Sequence, residues 1–363
     1  MSASTQPYGG AGDSQSGGAS LAARFRRHAD GLVRWKRSPL YITLMRAAAD
    51  DIDRRGQVAR LFEGIDAPPG AVPQLRLLAA LHYLVLSGQA PALAAFYPSA
   101  GGDRPPDEAW PAALATIEEH FEQVRTRLLR TVQTNEPGRS AVLFAGLLWL
   151  TECHRRPIRL LEIGASAGLN LIADRYSYAV DGRELGDPDS PLRFVDPWMP
   201  PPPIDLVATA ARLRIAARAG CDASPLDPRA PEDQLTLLSY IWPDELHRID
   251  RLRAALSVAV RDPVPVAARL GSEWLPEALA GADEGELVVV WHSLVRQYVD
   301  PDEWAAIERA LAERAGVVHL SMEPAYDQRV PMQLTVHDPA GAAARTLAVC
   351  DDHGLPIRWE AAT

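Results

Sequence analysis

Between about Leu21 and Cys153 the apolar positions recur at helical spacing. Ile117, Phe121, Val124 and Leu128 fall at i, i+4, i+7 and i+11, one face of a helix. Gln74–Ser87 (QLRLLAALHYLVLS) is apolar on nearly every side, which predicts a helix buried all round. Pro68-Pro69-Gly70 and Pro105-Pro106 punctuate the run, and no strand pattern interrupts it. Past His154 the period changes. Ile158–Ile163 is a short apolar run ending in a glycine turn, with a helix expected from about Ala167 to Arg175. Val264–Ala268, Leu287–Trp291 and Val317–Ser321 read as buried parallel strands. Helices are expected over Pro231–Val260 and Asp302–Ala315, the second with an acidic first turn. Gln333–His337 and Arg345–Val349 read as a hairpin around Asp338-Pro339-Ala340-Gly341.

Strands alternating with helices predict a Rossmann-like α/β domain with a doubly wound, mainly parallel sheet over residues 154–363. An all-helical cap domain over 21–153 precedes it. Residues 1–20 (MSASTQPYGGAGDSQSGGAS) are rich in Gly and Ser, cannot form a secretory signal, and are expected to be disordered.

Composition narrows the function classes. The chain has 363 residues, 47% hydrophobic and 23% charged, as in a globular protein. A formal charge of −10 argues against a nucleic-acid backbone or an anionic membrane as the main partner. The longest apolar stretch, Ala141–Leu150, is too short to span a bilayer. Cys153, Cys221 and Cys350 are scattered, with no C-x-x-C pair, which predicts a reducing, cytoplasmic setting. A metal is not expected. His319 and Glu323 are four apart, but on a strand that spacing separates ligands by about 13 Å.

The stretch RLLEIGASAGLNLIADRY, 159–176, carries two catalytic patterns. Gly164-Ala165-Ser166-Ala167-Gly168 fits G-x-S-x-G, the elbow of a serine hydrolase with Ser166 as nucleophile. Asp300 or Glu323 and His337 or His353 would complete a triad in the right chain order. Against this, the upstream chain is helical and has no His-Gly-Gly oxyanion loop. Glu162 would also oppose a developing oxyanion. The same stretch resembles the E-x-G-x-x-x-G turn of class I S-adenosylmethionine (SAM) methyltransferases, through Glu162, Gly164 and Gly168. Ser166 stands where the commonest form of that turn has its middle glycine. A carboxylate at Glu162 suits a cofactor that carries a sulfonium and an ammonium.

That resemblance implies a cofactor site of Glu162, Gly164, Ala165, Ser166, Gly168 and Asn170, with an acid after the second strand for the ribose. Asp222 is preferred to Asp181, with Tyr176–Phe194 taken as an inserted hairpin. The fourth strand would end at His292 and Ser293, facing Glu162 across the crevice. His292 is then a candidate base, Glu323 its orienting acid, and Tyr298 a third catalytic candidate. Ser293 and Gln297 would line a small-molecule acceptor, while Asn135, Glu136 and Arg139 would form a lid or acceptor contact. Their default reading is helix capping. Trp242-Pro243-Asp244 reads as a helix-initiating turn.

Over nearly its whole length the chain resembles the bacterial family called domain of unknown function 2332. The likeness rests on QTNEPGRSA (133–141), LLEIGASAGLNLIADRYSY (160–178) and GCDASPLDP (220–228), then IWPDE (241–245), HSLVRQY (292–298) and SMEP (321–324). The leading expectation is a SAM-dependent methyltransferase. A serine hydrolase and a non-catalytic, methyltransferase-like binding protein are the alternatives.

Overall fold

The computed structural model describes residues 20–66, 71–324, 332–337 and 344–360, and only the backbone of Trp35. The expected disordered tail, the Pro68-Pro69-Gly70 break and the hairpin turn at 338–341 lie essentially outside those residues. The chain divides into two compact units. One contains residues 135–230 and 251–363, the other residues 12–134 and 231–250.

The first unit is built on an eight-stranded sheet. Its strands are β1 (Ile158–Ile163), β5 (Ile215–Asp222), β6 (Val266–Ala268), β7 (Leu287–Ser293), β8 (Val317–Pro324), β9 (Met332–His337), β10 (Arg345–Cys350) and β11 (Ile357–Trp359). The remaining strands, β2 (Ser177–Val180), β3 (Arg183–Gly186) and β4 (Arg193–Val195), form a separate small sheet. The large sheet has the order β11-β10-β9-β8-β7-β1-β5-β6. From β6 to β8 neighbouring strands are parallel, and from β8 to β11 they are antiparallel. A mixed α/β architecture with a large, mostly parallel sheet agrees with the alternating pattern in the sequence.

The strand pleat assigns side chains to two faces. Leu161, Ile163, Val288, Val290 and Val317 pack with Trp274, Leu275, Trp304 and Ile307 of the helices Gly271–Ala280 and Pro301–Glu313. The alternate residues meet the helix Gly138–His154. There a Cβ on Gly146 would lie 3.2 Å from Leu320 and 3.6 Å from Leu334, so the missing side chain lets the helix seat closely. β7 is buried along its whole length, as a run of LVVVW between two helical layers requires.

Several expectations change in detail. Tyr176–Phe194 is part of a three-stranded sheet, not a lone hairpin, and β4 adds in parallel to β2. Tyr178 stacks against both Phe144 and Trp198, with centroids at 4.2 and 5.6 Å, and this burial holds the small sheet in place. The expected helix 167–175 is a 3-10 segment, Asn170–Arg175, with non-helical angles at Ile172. Side chains take the carbonyls that an α-helical ladder would use. Tyr176 Oη bonds to Leu169 O, Arg218 to Leu171 O, and Tyr178 Oη to Ala173 O.

In the second unit every described element is a helix, including Pro73–Leu86 and Phe121–Leu128. The face predicted at Ile117–Leu128 is shared by two helices that meet at His120, whose ring bonds to the carbonyl of Gln89. Pro231–Val260 is likewise two helices, Pro231–Ser239 and Leu246–Ala259, broken around Pro243, which cannot donate to a helical ladder.

Candidate functional site at the carboxyl end of the sheet

β1 enters a turn in which Gly164, Ser166 and Gly168 all have positive φ, of 72°, 53° and 74°. Such angles are easy for glycine and uncommon for serine. The turn persists because its N–H groups are taken up one by one. Gly164 N and Ala165 N donate to Cys221 O at 2.9 and 3.0 Å, joining the turn to the end of β5. Ser166 N donates to Asp222 Oδ2 at 3.0 Å. Ala167 N and Leu169 N both donate to Asn135 Oδ1, at 3.2 and 3.0 Å.

Asn135 is therefore a brace for this turn. With Glu136 and Arg139 it is buried. Glu136 Oε1 accepts from Gly138 N and pairs with Arg251. Arg139 donates to the carbonyls of Asp352 and Ser293. The NEPGR segment is a junction that fastens the helix Gly138–His154 to the ends of β1 and β7. The capping default from the sequence covers only Glu136.

Glu162 is 1% exposed. Its Oε1 accepts from Asn170 Nδ2 at 3.1 Å, and Asn170 Oδ1 accepts from Ser140 Oγ at 2.9 Å. Oε2 has no hydrogen-bond partner among the described residues. Trp291 stands beside Glu162 in the β1–β7 register and its indole favours the charged form, without meeting full hydrogen-bond geometry. Burial dominates, and with the like charge of Asp222 it pushes the carboxyl up to about 8. Burial thus favours the protonated form of Glu162 near neutral pH, where the sequence alone suggested a carboxylate.

Asp222 ends β5, beside β1. Its two oxygens accept from Ser166 N and Ser224 N. Asp181 lies in the β2–β3 turn, with φ of 49°.

His292 does not face Glu162. In register, Glu162 pairs with Trp291, so the next residue, His292, points to the opposite face. There its ring lies against Trp304 and His319, with centroids at 4.8 and 4.9 Å. His292 Nδ1 is 2.8 Å from Glu323 Oε1, which also accepts from Val295 N at 2.9 Å and Arg296 N at 3.3 Å. Glu323 thereby ties the loop after β7 to the histidine. Val295 of this loop lies over the turn, and a Cβ on Gly164 would be 2.4 Å from its Cγ2. Ser293 is buried on the Glu162 side, Gln297 is half-buried, and Tyr298 is 47% exposed.

Ser166 is 4% exposed. Of its proposed triad partners, Glu323 is engaged with His292, Asp300 caps the helix Pro301–Glu313, and His353 lies 3.3 Å from Asp352 Oδ1. Asp351, Asp352 and His353 each bring one potential metal-ligand atom within 4.8 Å of the others, a cluster the sequence reading did not weigh. Ser140, Trp291 and Val295 were also missed. Serine, tryptophan and valine carry no motif of their own here, and only register and packing bring them to Glu162 and Gly164.

A family model described as an uncharacterized protein conserved in bacteria (DUF2332) matches residues 22–359. No curated protein and no solved structure matches the chain. Among the described residues, no helix is long and apolar enough to cross a membrane.

Proposed function

The chain belongs to this bacterial family, and within it we propose a methyltransferase that uses S-adenosylmethionine and acts on a small-molecule acceptor. The observation that carries the reading is the parallel order β6-β5-β1-β7-β8, in which the chain reverses direction across the sheet between β1 and β7. Ligands of open α/β sheets bind outside the carboxyl ends at such a switch point. The order is similar to that of class I methyltransferases, and the glycine turn and Asp222 stand at the ends of β1 and β5.

Two features fit the cofactor. Glu162 Oε2 is a buried oxygen without a partner, suited to a neighbouring cation. Asp222, half-buried with its oxygens turned to the Ser166–Ser224 backbone, is the acid for ribose hydroxyls. The bound cofactor would supply an electrophilic methyl group. Gly164, Ala165, Ser166, Gly168 and Asn170 shape its bed, and Asn135 holds that bed in place. Ser293, Gln297 and Tyr298 are assigned to the acceptor side. Glu323 fixes the loop that carries them, and His292 supports Glu323 from the far face. Approach to Gly164 requires Val295 to move, so binding is coupled to that loop.

Calorimetry tests this reading. SAM and its demethylated product should bind with roughly micromolar affinity, about −8 kcal/mol. Asp222→Ala should weaken binding at least about tenfold, as loss of charge-assisted hydrogen bonds implies. A cation beside Glu162 lowers its pKa, so binding at pH 7 should release up to about one proton. That release is read from the dependence of heat on the buffer's ionisation enthalpy, and Glu162→Gln should abolish it. Absence of binding to both compounds would sink the proposal.

The positive φ of Ser166 on a strand-to-turn corner favours a second reading, the serine hydrolase. Labelling by a fluorophosphonate that Ser166→Ala abolishes, in a protein that ignores SAM, would replace the methyltransferase with it. If neither reagent acts, the non-catalytic binding protein becomes the better description.

A further inference from the structure

The helical unit contains a cluster that this reading does not use. The helices Pro73–Leu86 and Pro231–Ser239, with Phe121–Leu128 and the residues after it, line a narrow cleft that is partly open to solvent. Arg76, Arg127 and Arg130 face Thr236, Ser239 and Tyr240 in its walls. The arginine Nε groups of Arg76 and Arg127 are buried and have no hydrogen-bond partner among the described residues. Arg76 spends one terminal nitrogen on Leu128 O at 3.1 Å. Glu232 Oε1 lies 3.5 Å from Arg127 and 3.4 Å from Arg130, but its side chain is 58% exposed. Three guanidinium groups thus face one loosely held carboxylate.

Buried N–H donors on charged groups are seldom left without an acceptor, because their desolvation goes uncompensated. The hydroxyls nearby do not provide that acceptor in a charged form. Thr236 Oγ1 and Ser239 Oγ already donate to the carbonyls of Glu232 and Thr236, which leaves only weak lone pairs toward the cleft. The ring of Tyr83 stacks on the Arg127 guanidinium, so its face is covered and its donors lie in the plane. Burial and the neighbouring Arg130 both act against the charge of Arg127. An anion in the cleft would relieve each of these at once.

We propose that the cleft formed by Arg76, Arg127 and Arg130 binds a small oxyanion of the phosphate class. Guanidinium forks match the paired oxygens of such an anion, and a cation or an apolar ligand would leave the buried donors unmet. The site lies in a different unit from β1 and Glu162 and does not depend on the function proposed for them.

The test is calorimetry and thermal unfolding of the full chain in inorganic phosphate, against chloride at equal ionic strength. Phosphate should bind and raise the melting temperature beyond chloride. Arg130→Gln, at a half-exposed position, should weaken binding at least about tenfold while the unliganded protein melts normally. Glu232→Gln removes the competing carboxylate and should tighten binding. Methyl phosphate serves as a monoester probe. Tighter binding of it than of phosphate assigns a phosphomonoester, and the reverse assigns free phosphate. Phosphate that performs no better than chloride, or equal affinity in the wild type, Arg130→Gln and Glu232→Gln, overturns the proposal.

Discussion

Glu162 is the residue whose chemistry depends most on its surroundings. Its folded carboxyl titrates at about 8, against 4.5 for an ordinary glutamate, with burial as the first cause. Between those values the folded chain keeps a proton that the unfolded chain has lost. The associated stability is fully present below pH 4.5 and is lost as pH rises toward 8, by up to about 1.4 kcal/mol per pH unit. Glu162→Gln retains an acceptor for Asn170 but cannot ionise. Urea unfolding between pH 5 and 9 should therefore show an alkaline loss in the wild type that the variant lacks; matching slopes would count against a buried neutral acid. The acid itself was legible in the E-x-G spacing, as was Asp222 after a later apolar run. Its protonation was not, because desolvation depends on complete burial in the folded chain, where β7 pairs with β1 from more than a hundred residues away.

At the scale of elements, the turn 164–169 depends on a side chain from another segment. Asn135→Ala leaves Ala167 N and Leu169 N buried without their acceptor. At about 1–3 kcal/mol for each of the two unsatisfied donors, the loss should be roughly 2–6 kcal/mol in denaturant midpoint analysis. A loss below about 0.5 kcal/mol would mean that the turn holds itself, since surface-like substitutions fall in that range. The strands show how far pattern reading reaches. β1 was found at its observed ends, and β7 from its buried core of LVVVW. The facing of His292 was misread because a strand alternates every residue, and the register with β1 decides which neighbour shares a face with Glu162. The segment after Gly168 was expected to be α-helical from its small and apolar residues. The hydroxyls of Tyr176 and Tyr178 and the guanidinium of Arg218 compete for its carbonyls; Arg218 is 47 residues away from Leu171, and the two tyrosines reach back only because the chain turns into β2.

For the whole molecule, the two units should respond to pH in opposite directions. His28 and His82 in the helical unit are lowered by burial to about 4 from an ordinary 6.5. His82 has its ring nitrogens on Ser239 O and Ser99 Oγ. Between pH 4 and 6.5 the unfolded chain binds the protons that these rings refuse, so the helical unit gains stability as pH rises, by up to about 1.4 kcal/mol per pH unit for each ring. Glu162 makes the sheet unit lose stability over 4.5 to 8. Proteolysis under urea, with cleavage sites mapped to each unit, should give midpoints that shift in opposite directions as pH rises from 5 to 6.5, upward for the helical unit and downward for the sheet unit. Midpoints that move together would show that these groups do not govern the two units. The sequence by itself determined the helical first third, the buried strands β1, β7 and β8, and the acid and glycines of the β1 turn, because these follow from local period and composition. Tertiary structure alone decided which face His292 takes, that the NEPGR segment is a brace, that burial favours the protonated form of Glu162, and that three arginines distant in sequence from Pro231–Ser239 share a cleft with it. Each of these is set by pairing and desolvation between segments far apart in the chain, which no local pattern encodes.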